Sequence, residues 1–484
     1  MMAVKTANAE QAVKAEEQAD TGAVPLGGKA VQAVVLAVTV HLAAEVFGKD
    51  EAGRAAFYSA LSVAAAYGAA AAAGRVPAFN AVYVVYLPVM VSLLFRRELV
   101  PVNCAMALGG MQMPVVLRVL QQLTILYLQP AARGRGFPGR GGVGGAPGGV
   151  VGRWRGWSEL RSLDMVDCGL LSILLTNVLF VIGGESSVQF QILRACLYGF
   201  LVAVGANYVF VRAYGRRNQY VRTAVLLAVF ALVFPSVILA FLDLDDTDNA
   251  LVWLIKYIFS SALRMQIMAG WLVFLGVLIP SVFVMKSHLS LNTSRKIWHF
   301  ALLPLLVCQM AVEPEFTTVA IAGTVVVFLI VEYFRYMNLY PFGDYINAQL
   351  RTFTDFRDEQ GPIIVSYLYL ILGVSFPLLI NRSLVGVISL GVGDSLASII
   401  GRRYGKYHWP GTNKTVEGTL AFIVASAALC LVCQQAFLAF EGVATRNIIL
   451  ACVVSGILEG NSDLNDNILI PSFMLIFMEL CKYY

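Results

Sequence analysis

Charge is what this chain has least of. Only 13% of its 484 residues are Asp, Glu, Lys or Arg, against about 25% in an ordinary soluble domain. That excludes a water-soluble globule. With 58% hydrophobic residues and a mean hydropathy of +0.72, the chain reads as an integral membrane protein. Period-2 alternation is missing from its Leu-, Val-, Ile- and Phe-rich runs, which argues against a transmembrane barrel and for helices. No basic-then-apolar segment closing on small residues opens the chain, so no cleaved signal peptide is expected. The GxxxxGK[ST] pattern is also absent, so any phosphate handling is not that of a Walker A loop.

What is present is about fifteen apolar runs, from 30–47 to 467–481, several of them shorter than the roughly 20 residues preferred for spanning. The expected fold is an all-α polytopic bundle of about 13–15 transmembrane helices. The run 250–262, with Lys256 inside it, is a doubtful span. Four regions follow from composition. Residues 1–28 form an Ala-, Glu- and Lys-rich tail, expected to be disordered. Residues 29–129 form an N-terminal transmembrane bundle. Residues 130–161 are Arg/Gly-rich and read as a flexible cytosolic linker near anionic headgroups rather than as an RNA-binding segment. Residues 162–484 form a second bundle. The eight cysteines all lie in or beside apolar runs, and Cys430 and Cys433, despite redox-motif spacing, read as small hydrophobes.

Against this apolar background one polar cassette stands out: Gly391-Val392-Gly393-Asp394-Ser395-Leu396-Ala397-Ser398, then Gly401-Arg402-Arg403-Tyr404-Gly405-Lys406, then Trp409-Pro410-Gly411-Thr412-Asn413-Lys414-Thr415-Val416-Glu417-Gly418-Thr419. A carboxylate at mid-bilayer costs about 2.5–3.5 kcal/mol, so such a group usually marks a site. An acid followed by glycines, cations and hydroxyls suits a metal-bound polyphosphate. On a continuous helix Asp394, Ser398, Gly401 and Gly405 share one face, which is equally a packing face for a neighbouring helix. Lys414, Thr415, Glu417, Gly418 and Thr419 stand at the N-terminal end of the next helix, where backbone N–H groups favour anions. Three further polar clusters flank apolar runs: Ser294–His299; Asp344 to Glu359; and Glu459, Asn461, Asp463, Asn465, Asp466 and Asn467.

The strings GVGDSLASIIGRRYGK and WPGTNKTVEGT resemble the signature of dolichol kinases, CTP-dependent polyprenol kinases of the endoplasmic reticulum. Arg295-Lys296-x-x-His299 resembles that family's RK-x-x-H element, and Leu458-Glu459 followed by Asp466-Asn467-Ile468-Leu469-Ile470-Pro471 resembles its late LE…DNLLLP element. The stretch Gly460–Asn465 departs from the pattern. The resemblance covers 290–481 and implies a CTP-binding catalytic region there. It implies transfer of the γ-phosphate of CTP to the terminal hydroxyl of dolichol, forming dolichyl phosphate for protein glycosylation. Asp394, Asp466 and Lys414 are the implied catalytic residues. Asp394 and Asp466 would be ligands of a divalent cation, Mg2+ ahead of Ca2+, with Asp466 alternatively the base. CTP contacts would come from Gly393, Ser398, Gly401, Arg402, Arg403, Gly405, Gly411, Thr412, Lys414, Thr415, Glu417, Gly418, Thr419 and Asn467. Lys296, His299 and Glu459 are secondary candidates.

Other enzymes share the cassette layout, so a CTP-dependent diacylglycerol kinase or a phosphatidate cytidylyltransferase remains an alternative. A polytopic transporter is the non-enzyme alternative, weakened by the gathering of polar groups at one face and by the lack of a convincing internal repeat. The implied partners are dolichol, CTP and the bilayer, with no nucleic acid.

Basic residues concentrate in the loops 212–222, 286–296, 338–361 and 401–417, whereas the intervening loops are acidic or nearly neutral. The positive-inside rule therefore places the cassette on the cytosolic face of a multi-pass endoplasmic reticulum protein. This orientation predicts that the sequons at Asn292 and Asn413 carry no glycan. Glycosidase-sensitive gel mobility of single-sequon variants measures this, and a glycan on Asn413 would invert the orientation.

Overall fold

Unbroken apolar runs can satisfy their backbone groups inside a bilayer as helices, and helices are what this chain forms. The computed structural model describes residues 26–49, 82–107, 165–182, 187–214, 218–242, 249–285, 291–351, 363–462 and 464–484, with scattered positions between them. Most of the expected tail 1–28 and all of the Arg/Gly segment 130–161 lie outside the described residues, as do Asp355, Arg357, Asp358, Glu359 and Asp463.

The helices in chain order are α1 (Leu26–Phe47), α2 (Val82–Phe95), α3 (Val100–Ala107), α4 (Met165–Thr176, prolonged by a π-helical turn Asn177–Val181), α5 (Val188–Tyr214), α6 (Gln219–Phe241), α7 (Ala250–Phe259), α8 (Ala262–Met285), α9 (Leu291–Val312), α10 (Pro314–Met337), α11 (Gly343–Arg351), α12 (Ser366–Asn381), α13 (Val385–Tyr404), α14 (Val416–Phe437), α15 (Thr445–Asn461) and α16 (Asp466–Leu480). Among the described residues seven of these, α1, α5, α6, α8, α10, α13 and α14, are long and apolar enough to cross a membrane, and α2, α4, α7 and α12 are shorter apolar helices. The protein is a polytopic helical membrane protein. The runs 57–73 and 100–128, counted toward the expected spans, lie largely outside the described residues. The doubtful run at 250–262 yields the ten-residue α7, well short of the roughly 20 residues a span requires.

Lipid-facing and protein-facing helices are easily told apart. In α8 Val282 is buried, whereas Leu272, Val273, Val277 and Val284 are all exposed, as suits a helix bathed in acyl chains. By contrast, α16 is buried along most of its length. It lies between α15 and α12, with α1 and α2 also packed against it. One continuous cluster of buried apolar side chains consequently runs from Val35 in α1 to Cys481 just beyond α16. The first described helix thus helps enclose the last.

Glycine sets the spacing of α13 and α14. A Cβ on Gly401 would stand 2.8 Å from Thr415 Oγ1, and one on Gly418 would stand 2.9 Å from the Ala397 carbonyl oxygen. Larger side chains there would force the two helices apart, at about 1–3 kcal/mol for an overpacked contact. Gly401→Leu is therefore expected to lower the yield and the thermal unfolding midpoint of detergent-solubilised protein. Gly276→Leu is the control. Its position on α8 has nothing within 4 Å of the added Cβ, so it should change neither quantity.

Candidate active site

The path of α13 is broken where the acid is needed. Val385–Ile388 is α-helical, Ser389–Asp394 is π-helical, and Ser395–Tyr404 returns to α. The wider π register interrupts the regular hydrogen-bond ladder, a feature common at functional sites. The Leu390 carbonyl accepts from Ser395 Oγ at 3.2 Å and lies 3.2 Å from His299 Nδ1. Asp394 closes the π stretch and is buried. Its Oδ2 accepts from Lys296 Nζ at 2.5 Å and lies 3.2 Å from His299 Nδ1. Because both neighbours of Nδ1 are acceptors, that nitrogen carries the proton. Lys296 and His299 share a face of α9 by their spacing of three. They form one buried cluster with an acid 98 residues away from Lys296.

A second cluster is built on Lys414. This residue ends the loop between α13 and α14, whose two sides join through a β-bridge between His408 and Thr415. The Trp409 N–H donates to the Lys414 carbonyl at 2.9 Å. Gly411, at φ +73°, lets the chain reverse at Pro410-Gly411, where a residue with a Cβ would be strained. The Lys414 ammonium donates to Glu459 Oε1 at 2.7 Å and Asp466 Oδ2 at 2.9 Å, and to the Glu459 carbonyl at 2.8 Å. All three of its donors are thereby used. Burial alone would lower the pKa of Lys414, but Asp466 and Glu459 outweigh it and hold the pKa above the ordinary lysine value. The ammonium stays charged through the neutral range. Phe422 of α14 lies against both Gly393, next to Asp394, and Gly456, one turn before Glu459, so the two clusters flank the same stretch of α14.

The other cassette residues divide by environment. Ser398 Oγ donates to Asn292 Oδ1 at 3.1 Å, on the same helix end as Lys296. Thr412 Oγ1 donates to the Gly460 carbonyl at 3.3 Å, and Thr419 Oγ1 accepts from Trp409 Nε1 at 2.9 Å. Thr415 caps α14 by accepting from the Gly418 N–H. Glu417 accepts from the N–H groups of Lys406 at 3.0 Å and Tyr407 at 3.3 Å, which holds the far arm of the loop. Gly393 lies against α14, where a Cβ would stand 2.5 Å from Ser426 Oγ and 2.7 Å from the Phe422 ring. Gly401 and Gly418 serve the α13–α14 contact described above, and Gly405, one residue past α13, lies against Thr415. Arg402 and Arg403 are exposed at the end of α13. The Asn467 N–H donates to the capping Asn465 side chain at 3.0 Å. The structure therefore brings Asp394, Lys296 and His299 together, and Lys414, Glu459 and Asp466 together. Arg402 and Arg403 remain at the rim.

Three contributors escape sequence reasoning. Gln32 Nε2 in α1 donates to the Asn461 carbonyl at 2.6 Å, and Tyr83 OH in α2 donates to Gln32 Oε1 at 2.7 Å. Both steady the α15 end that carries Glu459. An amide near the start of an apolar span, seven residues into α1, is the signal that could have pointed to Gln32. Asn292, notable in the sequence as a sequon, is instead the partner of Ser398.

A family model, the dolichol kinase N-terminal domain, matches residues 55–131. The chain is 41% identical to a dolichol kinase of Saccharomyces cerevisiae over 410 residues, 84% of this chain and 78% of that protein. It is 34% identical over 254 residues to the dolichol kinase sec59 of Schizosaccharomyces pombe, 47% of this chain and 50% of that protein. To the Homo sapiens dolichol kinase it is 31% identical over 276 residues, half of each chain. No solved structure matches.

The Lys296–Asp394 pair has side chains 8% and 11% exposed. Removing one partner of a buried ion pair costs about 3–5 kcal/mol, because the other charge is left without compensation. Lys296→Met should therefore be severely destabilised in thermal unfolding, and Lys296→Met combined with Asp394→Asn should recover most of the loss. A double variant no more stable than the single one would show that the pairing is not what holds α9 to α13.

Proposed function

Because the chain belongs to the dolichol kinase family, we propose that the paired lysine–carboxylate clusters transfer the γ-phosphoryl group of CTP to the terminal hydroxyl of dolichol. The products are dolichyl phosphate and CDP. The observation that carries this reading is the pairing of Asp394 with Lys296, and of Glu459 and Asp466 with Lys414, in two clusters that flank α14. Phosphoryl transfer needs little covalent help from a protein. It needs in-line positioning and neutralisation of charge on the moving group. A new bond forms between the dolichol oxygen and phosphorus, the bond from phosphorus to CDP breaks, and the hydroxyl proton leaves to a base.

Asp466 suits the role of base. It opens α16, and its side chain is 30% exposed, so it can reach a ligand while Lys414 orients it. Lys414 supplies the fixed positive charge for the β- and γ-phosphates, exchanging a carboxylate contact for a phosphate oxygen as CTP binds. Arg402 and Arg403, at the rim, offer further charge to the incoming nucleotide. Among the described residues no group of three or more His, Cys, Asp or Glu side chains is arranged to hold a metal ion. The donor set nevertheless fits Mg2+, which uses one or two carboxylates and takes its other ligands from phosphate and water. The described contacts to Asp394 and Asp466 fall on Oδ2 of each, so Oδ1 of Asp394 is suited to the cation and Oδ1 of Asp466 to the hydroxyl proton. The same donor set fits Ca2+ less well, since that ion takes six to eight oxygens. When bound, the cation would neutralise charge on the phosphates.

Exposed Arg402, Arg403 and Lys406 at the same end support a cytosolic, CTP-accessible site on an endoplasmic reticulum protein that supplies dolichyl phosphate to glycosylation. The test is incubation of the purified protein with CTP labelled in the γ-phosphate and a panel of dolichol, diacylglycerol, phytol and phosphatidate. Label is expected in dolichyl phosphate with release of CDP, and ATP should be a poor donor. A CDP-lipid with release of pyrophosphate would overturn the reading. Asp394→Asn should lower kcat by at least about 100-fold, the scale of a lost electrostatic contact at a transition state. Lys414→Ala should both raise the KM for CTP and lower kcat, since a phosphate contact acts in ground and transition states alike.

A further inference from the structure

An elongated cavity of about 440 Å³ runs beside α12, walled by α2, α4, α5, α10 and α16. Its lining is dominated by aliphatic and aromatic side chains such as Val91, Leu174, Leu197, Leu329, Leu372 and Phe376. The polar residues on one wall are tied to each other. Asn103 Nδ2 donates to Ser92 Oγ at 3.2 Å, and Asn177 Nδ2 donates to Asn103 Oδ1 at 2.8 Å. The surface offered to an occupant is therefore mostly hydrocarbon.

Three observations say what that occupant is. The first is continuity with the charged centre. Gly373, Ile468 and Ser472 line the cavity, and Gly373 is pressed against the Asn467 carbonyl so closely that no Cβ fits there. Asp466 is the next residue back along α16, so the cavity passes within one helical turn of the Lys414 cluster. The second is shape. The lining follows α12 on both sides of Gly373, from Ile363 and Val365 to Ile380 and Arg382, and its arm beyond Gly373 reaches about 14 Å at 1.5 Å per helical residue, so an apolar slot leads away from the acid. The third is who builds it. Val91, Phe95, Leu99 and Asn103 fall within 55–131, the stretch matched by the dolichol kinase N-terminal domain. The described part of that domain thus helps wall a hydrocarbon slot, besides steadying the α15 end through Tyr83 and Gln32.

We propose that this cavity is the acceptor subsite, holding the isoprene units next to the hydroxyl of the polyprenyl alcohol while the rest of the chain extends outward. The proposal rests on the reading that the Lys414 centre is the phosphoryl-transfer site.

Val91→Trp and Leu379→Trp, which fill the slot away from its charged end, test it. Each purified variant is assayed with CTP and either long-chain dolichol or citronellol, an alcohol of two isoprene units. The ratio of kcat/KM for dolichol to that for citronellol should fall at least tenfold, with the KM for CTP unchanged within twofold. An unchanged ratio overturns the proposal, as does an equal loss on both alcohols. Photo-crosslinking of the unmodified protein, without CTP, keeps the question open to test should either variant fail to fold. A dolichol analogue with a diazirine in its second isoprene unit should label α2 and α12, and excess dolichol should displace it. Labelling confined to the exposed face of α8, or displaced equally by phosphatidylcholine, would overturn the assignment. Failure of the unmodified protein to phosphorylate either alcohol would instead sink the kinase reading, and the crosslink pattern would still report on the cavity.

Discussion

The Lys414 ammonium joins three parts of the chain that would otherwise separate: the loop after α13, the end of α15 and the start of α16. Its bonds to Glu459 and Asp466 set one positive charge between two acids that would otherwise repel each other, and an unpaired buried charge costs several kcal/mol. The additional bond to the Glu459 carbonyl satisfies one of the acceptors left open at the end of a helix. The loop shape depends on this contact too. Trp409 and Thr412 reach Thr419 and Gly460 only while the loop is folded over α15.

The Lys296–Asp394 pair repeats the same solution on the other side, with a different backbone device. Here the chain supplies the acid from a π-helical stretch inside a span. The break costs regular hydrogen bonds, and His299 and Ser395 take up the Leu390 carbonyl near it. A site assembled this way is preorganised: its charges are held by neighbouring charges. Phosphoryl transfer benefits from such fixed electrostatics because little reorganisation is then needed as charge moves. The surroundings of the chain also change along α16. Its first residues face charge, and the residues one turn later line hydrocarbon.

Much of this was legible before folding. The density of polar residues in an apolar chain marked the cassette, and the motif resemblance singled out Asp394, Lys414 and Asp466 together with Lys296, His299 and Glu459. The caps themselves, Thr415 before Val416 and Asn465 before Asp466, are ordinary N-cap residue types that the sequence reading passed over. The partner assignments were not legible. Glu417 resembles a ligand residue in its motif, yet it accepts from the backbone of Lys406 and Tyr407. Gly393 resembles part of a phosphate cradle, yet it faces Phe422 and Ser426. A motif records that a residue type is required at a position. It does not record whether the requirement comes from a ligand or from a neighbouring helix.

Composition and local pattern by themselves determined that this protein is a helical membrane protein and marked the polar cassette, while the motif resemblance singled out the late Asp466-Asn467 element. The first two follow from local physics: hydrocarbon demands internally bonded helices, and charge in hydrocarbon demands a purpose. Tertiary structure decided which lysine answers which acid, that Gln32 supports Asn461 across 429 residues, and that α1 and α2 close against α15 and α16. It also decided that an apolar slot passes beside Asp466. These contacts join residues hundreds of positions apart, so no window of sequence contains them. They exist because burying one helix requires the matching faces of several others, and that match is settled only when the whole bundle packs.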